Sequence, residues 1–217
     1  MSFILIGITG KIGSGKSLLS SFFKKKGIPV YSSDKKGKIL MNNNKIIQKN
    51  IIKHFGKNSC INGKINKNYL SKIVFKDSIA LKILCSIIHP WISIDFKKWI
   101  SYLSEKKENK NFYVIKESAI LFESGSYKEC NNIITVTSPL KKMIERIMKR
   151  DNLNENEIFD RLKSQISNKK RIKKSDIIVD NSTSIKNLKK KANKIYNTLI
   201  YNKIKWEKEI EKQKEVK

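Results

Sequence analysis

Short apolar segments alternate with longer amphipathic ones along much of the chain. The apolar segments, each four to six residues long, predict buried strands at residues 3–8, 28–31, 112–116, 132–136 and 176–179. Apolar positions at helical spacing predict helices over residues 17–26, 139–150, 155–171 and from 185 onward. Strands that alternate with helices are joined by right-handed crossovers. This order therefore predicts an α/β fold with a five-stranded parallel sheet.

The alternation stops between residues 35 and 107. Apolar residues recur there only at helical spacing, and they are Ile46, Ile47, Ile51, Ile52 and Phe55, followed by Leu81, Leu84, Ile87 and Ile88. We predict that residues 35–107 form a helical insertion. The sheet and its helices would then be built from residues 1–34, 108–145 and 173–217.

A glycine-rich sequence follows the first apolar segment and matches the phosphate-binding pattern G-x-x-x-x-G-K-[ST]. Glycines let successive N–H groups converge on phosphate oxygens, and the N-terminus of the next helix favours negative charge. The pattern predicts a nucleoside triphosphate site that includes Lys11, Ile12, Gly13, Ser14, Gly15, Lys16, Ser17 and Leu18. Lys16 would reach the β- and γ-phosphates, and Ser17 would offer its hydroxyl to Mg²⁺. A simple glycine turn is the alternative.

Two carboxylates follow predicted strands. Asp34 lies just past the second strand, where it could accept the proton of an acceptor hydroxyl that attacks the γ-phosphate. Its alternative role is to cap the next helix. Glu117 ends the third strand and could hold Mg²⁺ through water, or be merely an exposed carboxylate. The carboxyl ends of parallel strands meet at one edge, so both groups are expected beside the phosphate loop.

The formal net charge of +28 would ordinarily indicate a nucleic acid or an anionic membrane as partner. However, 43 of the basic residues are Lys, spread along the whole chain among Asn and Ile, which favours nucleotide bias in the genome as the cause. We expect no specific nucleic acid partner. All four arginines, Arg146, Arg150, Arg161 and Arg171, lie within 26 residues. Their planar guanidinium groups suit phosphate contacts, so residues 146–172 are predicted to form a phosphate-facing lid.

The three cysteines, Cys60, Cys85 and Cys130, are scattered, which favours a reducing compartment and no metal site of their own. No uninterrupted apolar run approaches the length of about 18 residues that suggests a membrane span. We expect a cytoplasmic monomer that has no contact with a membrane.

The chain resembles the dephospho-coenzyme A kinase family over nearly its whole length. Besides the phosphate loop and Asp34, the resemblance rests on Ile88-His89-Pro90, Ala119-Ile120-Leu121-Phe122-Glu123-Ser124-Gly125, Arg146-Ile147-Met148-Lys149-Arg150-Asp151, Arg161 with Gln165, and Asp176 through Asp180-Asn181. It implies a three-layer P-loop kinase fold with helices on both faces of the sheet, a CoA-binding insertion and a lid. It also implies Mg²⁺-dependent transfer of the ATP γ-phosphate to the ribose 3′-hydroxyl of dephospho-CoA, giving CoA and ADP.

The resemblance also implies roles for individual residues. Asp34 would be the general base, with Lys16 and Arg146 also taking part in catalysis. Arg150 and Asn181 would bind ATP. The acceptor side would be lined by His89, Pro90, Leu121, Phe122, Glu123 and Arg161. Four positions depart from the family pattern, because Lys11 replaces a glycine, Ser32 an aspartate, Lys38 an arginine and Ala119 a proline.

Two other functions compete with this interpretation. The chain could be another small P-loop kinase that acts on a nucleoside monophosphate or a metabolite. The absence of arginine before Arg146 disfavours a monophosphate, and the long insertion suits a larger acceptor. A nucleotide switch or nucleic-acid-binding protein would account for the charge but would leave Asp34 and the clustered arginines unexplained.

Overall fold

The computed structural model describes the backbone of residues 3–105 and 113–215, and side chains up to residue 202. Within these ranges the main sheet comprises β1 (Ile4–Thr9), β2 (Val30–Ser32), β5 (Tyr113–Glu117), β6 (Asn132–Thr137) and β7 (Ile177–Asp180). The spatial order is β2-β5-β1-β6-β7, and every neighbouring pair is parallel. The predicted five-stranded parallel sheet is confirmed. Phe112, the predicted start of β5, lies outside the described residues.

The remaining elements are helices and one small hairpin. In chain order they are α1 (Lys16–Lys25), α2 (Ser33–Asn43), α3 (Lys45–Phe55), a 3₁₀ turn (Lys57–Ser59), β3 (Cys60–Ile61), β4 (Lys64–Ile65), α4 (Lys67–Val74), α5 (Ser78–Glu105), a 3₁₀ turn (Ser126–Glu129), α6 (Leu140–Asp151), α7 (Glu155–Lys163), α8 (Asn168–Lys173) and α9 (Ile185–Glu215).

Alternate residues of β1 face opposite sides of the sheet, as the geometry of a strand requires. Ile6 and Ile8 are buried in a cluster that includes Leu19 of α1 and Leu188 of α9. Leu5 is buried in a separate cluster that includes Phe96 of α5. The sheet is therefore covered on both faces, and the three-layer arrangement is confirmed.

The segment predicted as a helical insertion contains α3 to α5 and all of α2 except its first two residues, and these helices share an apolar core around Ile47 and Ile51. It also contains the antiparallel hairpin β3–β4, which the spacing of apolar residues did not predict. The signal was the pair Asn62-Gly63, since both residues have positive φ, 49° and 71°, as a tight hairpin turn requires. The proposed domain boundary at residue 107 lies outside the described residues.

The single helix predicted over residues 155–171 is wrong, because the structure has two helices there. α7 ends at Lys163, and α8 begins after Ser167, whose side chain accepts a hydrogen bond from Lys170 N–H. A serine that accepts from the third residue after it is a typical helix N-cap. Between the helices, Gln165 and Ile166 make contacts with the site described below.

The expectation that no segment resembles a membrane span needs correction. α5 is long and apolar enough to span a membrane by length and composition, and only 11% of its most apolar stretch is buried inside the protein. Lys82 and His89 interrupt its apolar residues, which is why no uninterrupted run is visible in the sequence. Length and composition alone are weak evidence, because core helices of other proteins meet the same criterion.

Candidate active site

The phosphate loop lies between β1 and α1, and its backbone is suited to an anion. Gly13 and Gly15 have φ of 78° and 99°, a region that residues with a Cβ rarely adopt. Within the described chain, the N–H groups of Gly13, Gly15, Lys16 and Ser17 form no hydrogen bond to protein. Unpaired N–H groups at the start of a helix are the donors that bind phosphate in P-loop proteins. The loop therefore fits the phosphates of a nucleotide.

Not every loop donor is free. The Ile12 N–H donates to Gln165 Oε1 at 2.9 Å, so this group is not directed at a phosphate. The Lys11 side chain extends toward α7, where its Nζ lies 3.4 Å from the Leu162 carbonyl. Burial, and secondarily the charge of Arg171, lower the pKa of Lys11. The described non-glycine residues with positive φ are Asn62 and Asn152. Replacement of glycine by Lys11 therefore does not strain the loop.

Arg146 and Asn181 hold the loop from outside. Arg146 Nη1 donates to the Gly13 carbonyl at 3.3 Å, and its Nη2 donates to the Asn181 carbonyl at 3.1 Å. The Asn181 side chain donates to the Ser14 carbonyl at 2.8 Å. A Cβ on Gly15 would lie 2.2 Å from that amide, so glycine is required there. In this conformation both side chains bind the loop itself.

Asp34 lies in the first turn of α2 and faces the loop. Its Oδ2 is 3.4 Å from Lys16 Nζ, and both of its oxygens lie 3.3 Å from the Ala119 N–H. Ser32, two residues earlier, is the N-cap residue of α2, so capping is not the role of Asp34. The structure thus brings a carboxylate next to the lysine that the sequence predicts to bind phosphates.

Glu117 is 2% exposed, so it is not an exposed carboxylate at the end of a strand. Its two oxygens accept hydrogen bonds from Ser17 Oγ and Ser32 Oγ, each at 2.7 Å. Among the described side chains, no lysine or arginine forms an ion pair with it. A buried carboxylate without a cation is costly, and hydroxyl and carboxylate oxygens are the ligands that Mg²⁺ prefers. These residues fit a magnesium ion.

Arg171 does not face a phosphate, which corrects the expectation drawn from the arginine cluster. It has no exposed surface, and its Nη1 donates to Thr9 Oγ1 at 2.7 Å and to the Ala119 carbonyl at 3.1 Å. Its Nη2 lies 3.2 Å from Glu123 Oε1. That carboxylate oxygen also accepts the Ile166 N–H. Arg171 is held inside the protein, behind the ends of β1 and β5.

The segment after β5, which the family resemblance assigns to the acceptor side, is largely internal. Leu121 has no exposed surface and Phe122 is 8% exposed, and both pack against Ile133. A fully buried side chain cannot touch a ligand, so direct contact by Leu121 is corrected to support from behind. Glu123 is engaged by Arg171 and Ile166, as described above.

Arg150 lies in the last turn of α6 and Arg161 in the last turn of α7, both within the predicted lid. Arg150 Nε and Nη2 donate to the two carboxylate oxygens of Asp151 at 2.8 and 2.7 Å. These bonds raise the pKa of Arg150, and the nearby charge of Asp34 adds to the effect. The Arg161 guanidinium lies 5.1 Å from the ring centroid of Phe75, which belongs to the insertion. The predicted lid therefore contacts the insertion in this structure.

His89 and Pro90 lie within α5, which continues through the proline. His89 is half-buried, and burial lowers its pKa from the ordinary value of 6.5. Burial and, to a smaller extent, the charge of Glu123 raise the pKa of Cys85, which lies one turn before His89. Positions four residues apart share a helix face, so Cys85 and His89 lie on the same side of α5.

The order of the sheet, the phosphate loop and the adjoining carboxylate define a P-loop kinase. The dephospho-CoA kinase family model matches residues 4–187. The chain therefore belongs to the dephospho-CoA kinase family, and the ATP dependence of this class applies to it.

Three similar proteins illustrate the match. A dephospho-CoA kinase from Fusobacterium nucleatum is 38% identical over 201 residues, which cover 92% of this chain and 100% of the relative. The structure of the dephospho-CoA kinase from Campylobacter jejuni is 29% identical with a TM-score of 0.64, covering 91% of this chain and 98% of that one. A crystal structure from Thermus thermophilus is 26% identical with a TM-score of 0.75, covering 92% and 99%.

Proposed function

We propose that this chain carries out the final step of coenzyme A synthesis, in which the γ-phosphate of ATP is transferred to the ribose 3′-hydroxyl of dephospho-CoA. The observation that carries the proposal is the 3.4 Å contact between Lys16 Nζ and Asp34 Oδ2. This contact places Lys16, which can bind the β- and γ-phosphates, next to Asp34, which can accept the proton of an acceptor hydroxyl. Membership of the dephospho-CoA kinase family supports the identity of the acceptor.

In the proposed reaction the 3′-oxygen forms a bond to the γ-phosphorus, and the bond from that phosphorus to the bridging oxygen breaks, releasing ADP. Asp34 accepts the hydroxyl proton, an effect commonly worth about 10²- to 10⁴-fold in rate. Lys16 and the free N–H groups of the loop neutralise the phosphate charge. Arg146 acts by holding the loop in shape, and Asn181 does the same from the end of β7.

We assign Mg²⁺ to Ser17 and Glu117. The Ser17 hydroxyl would bind the ion directly, and Glu117 would hold it through water, as its buried position behind Ser17 suggests. The ion supplies charge neutralisation on the transferring phosphate. Ser32, which replaces a family aspartate, contributes by fixing the second oxygen of Glu117.

The acceptor is proposed to lie between the insertion, residues 35–107, and the segment that contains Phe122 and Glu123. His89 and Pro90 would line it from α5. Arg150 and Arg161 would close over the bound substrates as part of a lid formed by residues 146–172, with Arg150 exchanging Asp151 for a phosphate. We further propose a cytoplasmic monomer without a specific nucleic acid or membrane partner.

Identification of the product tests this proposal. With Mg·ATP labelled at the γ-position and dephospho-CoA, the label should appear in CoA and should be released by an enzyme that removes only 3′-phosphates. Label that appears only in inorganic phosphate, or that enters another position of the acceptor, would contradict the proposed transfer.

A further inference from the structure

Gln165 lies between α7 and α8 and is 9% exposed. Both ends of its side-chain amide are used. Its Oε1 accepts from the Ile12 N–H at 2.9 Å, and its Nε2 donates to the Ala119 carbonyl at 3.0 Å. A single side chain therefore connects the phosphate loop to the segment that follows β5.

Ala119 in turn holds Asp34, because its N–H lies 3.3 Å from both carboxylate oxygens. Among the described side chains, the other group at this carboxylate is the Lys16 ammonium, at 3.4 Å. Under the proposed function Lys16 binds the β- and γ-phosphates, so a bound nucleotide would draw it away from Asp34. The Ala119 N–H is then the fixed group that orients the carboxylate.

We propose that Gln165 is a positioning residue that sets the orientation of Asp34 through Ala119 and links it to the phosphate loop. The inference rests on the proposed function, because it takes Asp34 as the base. Arg171 also donates to the Ala119 carbonyl, but its other bonds go to Thr9 and Glu123. Gln165 is the residue that reaches the loop. A displacement of about 1 Å at a reacting group can cost about 100-fold in rate, so the link is large enough to matter.

The test is Gln165→Glu, which keeps the size of the side chain. A carboxylate can still accept from the Ile12 N–H, but it cannot donate to the Ala119 carbonyl and repels it. We expect kcat to fall at least about tenfold, with the KM for ATP changed by no more than about twofold. In an Asp34→Asn background, the same change should lower the residual kcat by less than about twofold, because Gln165 acts through Asp34.

Gln48→Glu is the matched control. Gln48 is 4% exposed, and its Nε2 likewise donates to backbone carbonyls, at Met41, Asn42 and Gly63 of the insertion. Any effect of Gln48→Glu on kcat should be the same factor with and without Asp34. If Gln165→Glu does not fold, Gln165→Met provides a similar volume without charge and is judged by the same comparison.

Equal loss of kcat in the presence and absence of Asp34 would overturn the inference, because a purely structural role predicts that result. Normal turnover of Asp34→Asn alone is a different outcome. It would contradict the proposed role of Asp34 and remove the basis of the inference with it, and it is measured without any change at Gln165.

Discussion

Asp34 and Glu117 illustrate how two carboxylates at one sheet edge acquire different chemistry. Asp34 is partly open to the cleft and lies beside Lys16, whereas Glu117 is buried and receives two hydroxyl groups. The first arrangement suits proton transfer to an incoming hydroxyl, and the second suits a cation. The sequence placed both at strand ends but could not separate these roles, since burial depends on neighbours distant in the chain.

Replacement of Asp34 tests the proton-transfer role. Asp34→Asn should lower kcat at least about 100-fold and leave ATP binding intact, because the amide keeps the size but cannot accept the proton. The measurement is steady-state turnover with nucleotide affinity determined separately. Asp77→Asn is the matched control, since Asp77 is exposed and its Oδ1 accepts the Ile79 N–H, which asparagine can also do. Near-normal turnover of Asp34→Asn would refute the role.

Replacement of Glu117 tests the proposed Mg²⁺ site. Glu117→Gln should raise the Mg²⁺ concentration needed for half-maximal rate at least about tenfold, because groups that orient metal ligands commonly contribute 10- to 100-fold to affinity. The rate at saturating Mg²⁺ should change little. Glu145→Gln, an exposed carboxylate on α6, serves as the control. An unchanged Mg²⁺ requirement would mean that Glu117 serves only to fix Ser17 and Ser32.

At the scale of elements, the sequence predicted correctly those helices and strands whose ends are set by a local pattern of residues. β1, α1 and β6 begin or end within a residue of their predicted positions, because apolar runs and the glycine loop define them. Neither the hairpin at Asn62-Gly63 nor the break before α8 was predicted. The two-residue strands of the hairpin bury too few residues to produce a periodic apolar pattern. The burial of Arg171 could not be predicted, because Thr9 and Glu123 meet it only in the folded chain.

The lid can be tested by conservative exchange. Arg150→Lys should lower kcat/KM for ATP at least about tenfold, because an ammonium cannot form the two parallel bonds that a guanidinium offers to phosphate. Lys149→Arg, an exposed neighbour on α6, should have no comparable effect. Equal kcat/KM for ATP in Arg150→Lys and Lys149→Arg would contradict a phosphate-binding role of Arg150.

α5 carries a pH dependence that belongs to His89. Burial lowers the pKa of His89 in the folded protein below the ordinary value of 6.5. The unfolded chain therefore binds this proton first, and the free energy of unfolding falls as pH drops through 6.5 toward the lower folded value. His89→Gln should abolish this part of the loss. Denaturant unfolding of the unmodified protein and of His89→Gln at pH 8 and pH 5.5 measures the change in the free energy of unfolding. An equal decrease in the two proteins would contradict the assignment to His89.

At the scale of the whole molecule, the excess positive charge and the chemistry of the site are separate properties. The charge of +28 comes almost entirely from lysine, while the site depends on Lys16, two carboxylates and a loop braced by Arg146 and Asn181. The family model matches residues 4–187, which extend from β1 to the start of α9. We expect the excess of lysine to attract polyanions nonspecifically, with an affinity that falls as salt rises.

The most direct test is the release of ADP from Mg·ATP in the presence of dephospho-CoA, of adenosine monophosphate, or of buffer alone. Release that depends on dephospho-CoA and exceeds the other two reactions is the expected result, since the insertion suits a long acceptor. Faster release with adenosine monophosphate, or equal release in all three reactions, would contradict the proposed acceptor.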